Sequence, residues 1–411
     1  MITKIRCCLI FIILSTAGCR KVTEDLKTSI TGLSETDIRY GNILTISGNN
    51  FDTIAGDYQI FITDSVKKYS VIPLSVEKNQ IQIEIYNQED PKSVLDLTFF
   101  YVGIKTSTEI IMFDKKVSLV SSWTRARDFQ GTARYKTSAF SLGGDIYLGG
   151  GSGNGAALKD FWKYSPASDS WTRMADIPGS LRVYPRSFSN STNGFMGSGY
   201  SADNSSRIQL YDFYKYNPAD NTWLAIDNYP DNISGFYVGY TATVNGRSFV
   251  SLSNQVLTMR EYANGSWISA VTIPDMIDCP AAGVFSIGNL FYVILGNRIN
   301  NTVSNAVWAY NSDTGTWSKK ADFPGPARYA PVFFSIGNFG YYGCGMSTTS
   351  QQFADMWRYD PANDKWIRMQ NFPGGIRSHL AGASDGKSGY AGLGIVMSPV
   401  SYCTDFWRYD P

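Results

Sequence analysis

Four arginines occupy one position of a recurring pattern. Arg134, Arg182, Arg328 and Arg377 each stand 13 residues before an aromatic, namely Tyr147, Phe195, Tyr341 and Tyr390. The same count from Phe249 and Tyr292 lands on Phe236 and Cys279. Tyr135, Tyr237 and Tyr329 follow in the next slot, and His379 lies two residues beyond Arg377. A guanidinium presents a planar fork that matches a carboxylate, and a tyrosine offers a stacking face to a ring. Such a set could hold a carboxylate, another anion or a sugar. A competing structural reading is that each Arg ties its loop to an Asp of a neighbouring repeat. That the Arg recurs as part of the motif speaks for it.

Other chemistry is scarce. His379 is the single histidine, so a His-rich zinc or copper site cannot be assembled. No nucleophile elbow accompanies it for a Ser-His-Asp set. A mechanism built on carboxylates stays open, and no residue is assigned a catalytic role. Six cysteines are present; Cys7 and Cys8 fall in an N-terminal apolar segment, leaving Cys19, Cys279, Cys344 and Cys403. Cys344 and Cys403 occupy slots that are Gly or apolar in other copies, and read as small buried hydrophobes. No cofactor is expected.

The elements that must position these residues are legible as a repeat. Trp123, Trp171, Trp223, Trp267, Trp317 and Trp366 are separated by 48, 52, 44, 50 and 49 residues. A period near 50 marks one supersecondary unit copied along a chain. A Tyr precedes the closing Trp by seven residues at Tyr164, Tyr216, Tyr310 and Tyr359. Asp160, Asp212, Asp355 and Asp405 stand four residues before the corresponding Tyr. Alternating bulky and polar residues break at Pro and Asp or Asn and then resume at Trp, which is strand, turn, strand. An upstream hairpin turns at Gly143-Gly144, Gly288-Asn289 or Gly337-Asn338. Each unit is expected to be a four-stranded antiparallel meander, strands a to d. Glycines beyond the strand-b aromatic suit strands crowded near an axis.

These residues resemble the kelch repeat, with its Gly-Gly doublet, its Tyr-Asp-Pro turn and its Trp beyond the Tyr. The resemblance implies an all-β fold: a six-bladed kelch-type β-propeller over residues 117–411, of the galactose-oxidase-like kind. The doublet is intact only in the first copy, and the copy from Asn232 to Trp267 is degraded. The chain stops at Asp405–Pro411, where other copies turn toward their closing Trp, while Ser121–Arg125 is a closing strand without a hairpin. The two fragments are expected to complete one blade and latch the ring. The d–a and b–c connections then emerge on one face. The longer, variable b–c loops make that face the place for function, and the Arg slot would ring the channel mouth. Galactose oxidase's copper chemistry needs two histidines and does not carry over.

The front of the chain has its own organisation. Residues 1–18 carry Lys4 and Arg6, then an apolar run too short for the roughly 20 residues of a bilayer span, and read as a signal peptide. Leu14–Cys19 resembles a bacterial lipobox, which implies lipidation of Cys19 and a membrane anchor. Arg20, where an Asp would imply inner-membrane retention, favours an outer-membrane lipoprotein of the cell envelope, with surface exposure an open alternative to a periplasmic orientation. Residues 19–28 read as a tether. Residues 29–114, opening with Tyr40–Phe51, resemble an IPT/TIG immunoglobulin-like domain, a β-sandwich and rigid spacer.

Formal charge is +1; subtracting Lys4 and Arg6 leaves −1, and no basic stripe points to nucleic acid. The first functional expectation is a non-enzymatic, lipid-anchored binding module whose propeller face takes a glycan or protein. The alternative is a metal-independent sugar epimerase or mutarotase, because the repeats also resemble bacterial sialic-acid epimerases. A purely structural scaffold would have no pocket at all.

Overall fold

The computed structural model describes residues 27–51, 59–107, 109–203, 206–231, 239–252, 258–272, 283–296 and 304–411. Expectations for the signal segment, Cys19, Tyr237, Phe236 and Cys279 lie outside these residues. Every regular element described is a β-strand.

The N-terminal unit is two sheets around one core. One sheet runs Ser29–Leu33, Ile43–Asn49, Gln80–Glu84, Pro73–Glu77. The other runs Asp37–Arg39, Val117–Val120, Phe99–Lys105, Gln59–Thr63, Lys68–Val71, with Ile110–Met112 also on Phe99–Lys105. Alternation along Ile43–Asn49 turns Leu44 and Ile46 inward to meet Ile62, Ile81, Ile83 and Phe100. Here a boundary is corrected. Val117–Val120 pairs with Asp37–Arg39 and Phe99–Lys105, so it belongs to the first unit rather than opening the propeller. Its Val-Ser-Leu-Val alternation fits a half-buried strand, and the Trp anchor of the repeat comes only at Trp123.

Beyond it, six four-stranded antiparallel sheets follow among the described residues. Their inner strands are Ser138–Leu142, Arg186–Ser189, Thr241–Val244, Gly283–Ile287, Val332–Ile336 and Ala381–Ser384. These touch one another in that order, and the last touches the first, closing a ring. The sixth sheet is completed by Trp123–Ala126, paired antiparallel with Phe406–Tyr409.

The spacing of Tyr and Trp has a simple geometric cause. Tyr164 faces Trp171, Tyr216 faces Trp223, Tyr310 faces Trp317 and Tyr359 faces Trp366 directly across the two outer strands. Trp123 takes the same place opposite Tyr409, with ring centroids 4.9 Å apart, although the two lie at opposite ends of the ring sequence. The Trp Nε1 then donates to a backbone carbonyl of the preceding sheet: Trp171 to Arg127 at 2.9 Å, Trp223 to Ala175 at 2.9 Å, Trp366 to Ala321 at 3.1 Å. The turn residue Asp169, Asn221 or Asp364 accepts both from the Tyr hydroxyl and from a backbone N–H of the preceding sheet. One turn side chain thus links two sheets, which is why the motif repeats as a block.

The first unit sits against the fifth sheet. Arg358 donates to the Gly41 carbonyl at 3.0 Å and pairs with Glu84, Lys365 meets the Tyr86 hydroxyl, and the Arg368 N–H reaches the Pro91 carbonyl at 3.0 Å. Arg358 is buried, and Met369 joins the apolar cluster of the N-terminal core.

Candidate ligand site at the mouth of the ring

The motif arginines come first. Arg134 is fully buried and forks onto Asp160 at 2.7 and 2.6 Å, while its Nε reaches the Thr132 carbonyl at 2.9 Å. Arg182 does the same with Asp212 at 3.1 and 2.8 Å. Arg328 pairs with Asp355, and Arg377 with Asp405 at 2.5 Å. The Asp then accepts from Trp162, Tyr214, Trp357 or Trp407, at 2.7, 2.9, 2.8 and 2.7 Å. Each guanidinium also lies over a ring: Arg134 over Phe129, Arg182 over Tyr214, Arg328 over Phe353, Arg377 over Phe372. The partner Asp belongs to the same sheet, not to a neighbouring repeat as the bracing reading supposed. The four guanidiniums therefore face inward to their own sheets, and the channel mouth is lined by other side chains.

Burial works against ionisation of Asp160, but the Arg134 hydrogen bonds and charge, with Trp162, outweigh it and hold the carboxyl below its usual range. Asp355 is lowered in the same way, burial being outweighed by Arg328 and Trp357.

What lines the mouth is set two residues later. Lys136, Tyr184, Ala330 and His379 each take a left-handed backbone, with φ of 58, 53, 51 and 58°. This is uncommon for residues with a Cβ and marks a functional or packing constraint. The loops hold one another: the Tyr184 N–H donates to the Lys136 carbonyl at 2.9 Å, and the His379 N–H to the Ala330 carbonyl at 3.0 Å. Between them is a cavity of about 150 Å³ lined by Lys136, Tyr184, Arg186, Tyr240, Phe333 and His379, among others. Among the described residues no Asp or Glu lines it.

Of the sequence candidates, Tyr135, Tyr329 and His379 are brought together. Tyr135 meets His379 edge-on at 5.6 Å and stacks on Tyr402 at 5.4 Å, and Tyr329 meets His379 edge-on at 6.4 Å. His379 Nε2 shares a 2.8 Å hydrogen bond with the Tyr184 hydroxyl. Burial, aided by the Lys136 charge, pushes the His379 imidazole down to about 3, so it is neutral at physiological pH. Tyr402 comes from a small hairpin, Ile395–Met397 with Val400–Tyr402, in the sixth b–c connection. A matching hairpin, Ser152–Gly153 with Ala156–Ala157, stands in the first, and the second connection is a ribbon of extended strands reaching Asp203 and Ser206. These rise on the same side as the cavity.

Sequence reasoning passed over Tyr184, Lys136 and Arg186. The first two lie two slots past the motif Arg, where side chains vary from copy to copy. Arg186 lies four slots past Arg182, where the other sheets carry Ser138, Tyr240, Gly283, Val332 and Ala381. A charge in an otherwise small or apolar slot is the signal that was available. Cys344 is buried with its thiol pushed up by desolvation, and Cys403 is partly buried with the same tendency. Among the described residues no group of His, Cys, Asp or Glu is placed to hold a metal ion.

Lower on the axis a second cavity shares Ala139, Thr241 and Phe333 with the first. Around it every inner strand contributes a hydroxyl: Ser141, Ser189, Thr243, Ser286, Ser335 and Ser384. Phe333, in a slot otherwise filled by Ala139, Ser187, Thr241, Val284 or Gly382, is the bulky side chain between the two spaces.

Comparison with known proteins agrees with this geometry. The Kelch motif is matched over residues 133–178, the first full sheet with its arginine pair. A "Kelch domain-containing protein" of Sulfurisphaera tokodaii is 26% identical over 117 residues, which is 28% of this chain and 16% of that protein's length. The solved structure titled "Structure of YjhT" aligns with a TM-score of 0.56 at 16% identity, covering 68% of this chain and 96% of that one. At that identity the likeness speaks for the fold alone. With the repeat, the sheet order and these likenesses in hand, the chain is an all-β protein with a β-propeller fold that carries a Kelch motif over residues 133–178.

Proposed function

We propose that this protein is a binding module that takes its ligand, a glycan or a protein segment, in the cavity on the d–a and b–c face of the propeller. The supporting observation is the convergence of Lys136, Tyr184 and His379, each with a left-handed backbone, on one space that no acidic residue lines among the described residues. Such strain persists where surrounding structure enforces it, and it clusters at sites of recognition. Tyr135 and Tyr402 add an aromatic platform at the rim. In this reading the lipid on Cys19 holds the module at the outer membrane, and the N-terminal unit is an IPT/TIG spacer. Its ion pair and hydrogen bonds to the fifth sheet would keep the face at a set distance from the membrane.

A glycan array with the purified protein tests this, followed by Tyr184→Ala and Tyr135→Ala. The expected result is selective binding that both variants weaken by about tenfold or more, the scale of losing a buried aromatic contact. Undiminished binding in both would move the site elsewhere on the molecule.

The second reading, a metal-independent sugar epimerase or mutarotase, draws on one observation. The Tyr184 hydroxyl and neutral His379 share a hydrogen bond facing the cavity, the arrangement of a proton-transfer pair. Anomer exchange followed by NMR decides it; rates equal to buffer would leave only binding.

A further inference from the structure

We infer that Arg186 is the anchor of this cavity and that the ligand it holds carries a carboxylate. The inference rests on the cavity being the ligand site, and it adds the chemistry of what enters.

Arg186 opens the inner strand of the second sheet and is only 8% exposed. Its Nη1 donates to the carbonyls of Tyr184 at 3.2 Å and Pro185 at 3.3 Å. Its Nε is buried without a hydrogen-bond partner. Among the described residues no carboxylate lies within ion-pair distance of it. Among the described residues every other fully or nearly buried arginine has one: Arg134, Arg182, Arg328 and Arg377 in the sheet motif, and Arg358 with Glu84.

The contrast matters because burying a charge without a partner is costly, and native proteins almost always pair such groups. Nor is Arg186 part of the repeat, since its slot is filled by Ser138, Tyr240, Gly283, Val332 and Ala381 elsewhere. Holding the sheet together is the task of Arg182. What Arg186 adds is a cation at the cavity wall whose Nε has no hydrogen-bond partner. Lys136 supplies a second positive charge to the same space. Desolvation lowers the Arg186 guanidinium to about 10, which still leaves it charged at neutral pH.

Size narrows the ligand. At about 150 Å³ the cavity is smaller than the roughly 300–1,000 Å³ of sites for drug-sized molecules. It suits one acidic unit no larger than a monosaccharide, with the ring against Tyr184 and the carboxylate on Arg186.

The test is thermal unfolding and calorimetric titration of the purified protein and of Arg186→Gln, with glucuronate, acetate, inorganic phosphate and glucose as probes. For the unsubstituted protein, glucuronate should raise Tm and acetate should do so more weakly, while glucose should not. Arg186→Gln should raise the ligand-free Tm, because an uncompensated buried charge is gone, and should weaken glucuronate binding by about tenfold or more. Equal glucuronate binding by Arg186→Gln, or a response to phosphate and to neither carboxylate, would overturn the inference. If Arg186→Gln leaves binding intact while Tyr184→Ala abolishes it, the cavity remains the site and only the anchor is lost. If no probe and no array glycan binds, the reading of the cavity falls with it.

Discussion

At the scale of single residues, the propeller spends its conspicuous arginines on architecture and keeps an inconspicuous one for the cavity. Arg134 makes a two-pronged pair with Asp160, which also accepts from Trp162. Removing one partner of such a buried pair leaves an uncompensated charge, typically worth about 3–5 kcal/mol. Arg134→Ala should therefore lower unfolding free energy by about that amount in urea, and reduce ligand binding only through loss of folded protein. The pair also sets an acid limit. The Asp160 carboxyl is held below its usual value, so its contribution is fully present above the unfolded-state value of about 3.9 and is lost as pH falls through the folded one. Unfolding free energy measured from pH 7 to pH 3 should fall steeply below about pH 4 in the unsubstituted protein. In Arg134→Ala that fall should be shallower; an identical profile would show that the pair does not set the limit.

At the scale of elements, glycine explains how the pair is housed. Gly197, Gly343 and Gly392 stand two residues past the strand-b aromatic, and a Cβ there would lie 2.2, 2.1 and 2.3 Å from the carbonyl oxygen of Asp212, Asp355 or Asp405. The third strand approaches so closely that only hydrogen fits, which brings the carboxylate within reach of the buried arginine. Gly340 is a second kind of close approach, with the Phe285 ring of the preceding sheet pressed against it at 2.2 Å from an added Cβ. Gly343→Ala should cost about 1–3 kcal/mol by overpacking, measured by thermal or urea unfolding. Because the nearest obstacle is the Asp355 carbonyl, with the Met356 Sδ next at 2.5 Å, shortening Met356 should relieve only part of the cost.

At the scale of the whole molecule, closure and docking decide the outcome. The strand Trp123–Ala126 caps the sixth sheet with Trp123 buried against Tyr409 and Phe372. Truncating a core aromatic of this kind costs about 3–5 kcal/mol. Trp123→Ala should do so while opening the outer edge of the last sheet, an invitation to strand pairing between molecules. Size-exclusion chromatography after mild heating should show soluble aggregate for Trp123→Ala but not for Trp317→Ala, whose strand stays covalently joined to its hairpin. Equal behaviour would mean that the latch is not the weak point of the ring.

The amino-acid sequence by itself determined the strand and turn pattern, the place of each Tyr and Trp, and the two ends that meet. Those features are local or strictly periodic, and a residue seven positions from a Trp across a tight turn has one place to be. The cavity was only partly legible. Tyr135, Tyr329 and His379 could be located by counting, and the two tyrosine rings do meet the His379 ring. Which way the four arginines point could not be counted. A guanidinium beside a loop can reach a ligand or turn back to its own sheet, and an Asp brought close by a glycine in another strand settles that choice. Arg186 and Lys136 became visible as a pair of cavity cations only once left-handed turns and the packing of successive inner strands had brought the first and second sheets together. The assignment of Val117–Val120 was decided the same way, because a short alternating strand fits either unit until its hydrogen-bonding partners are known.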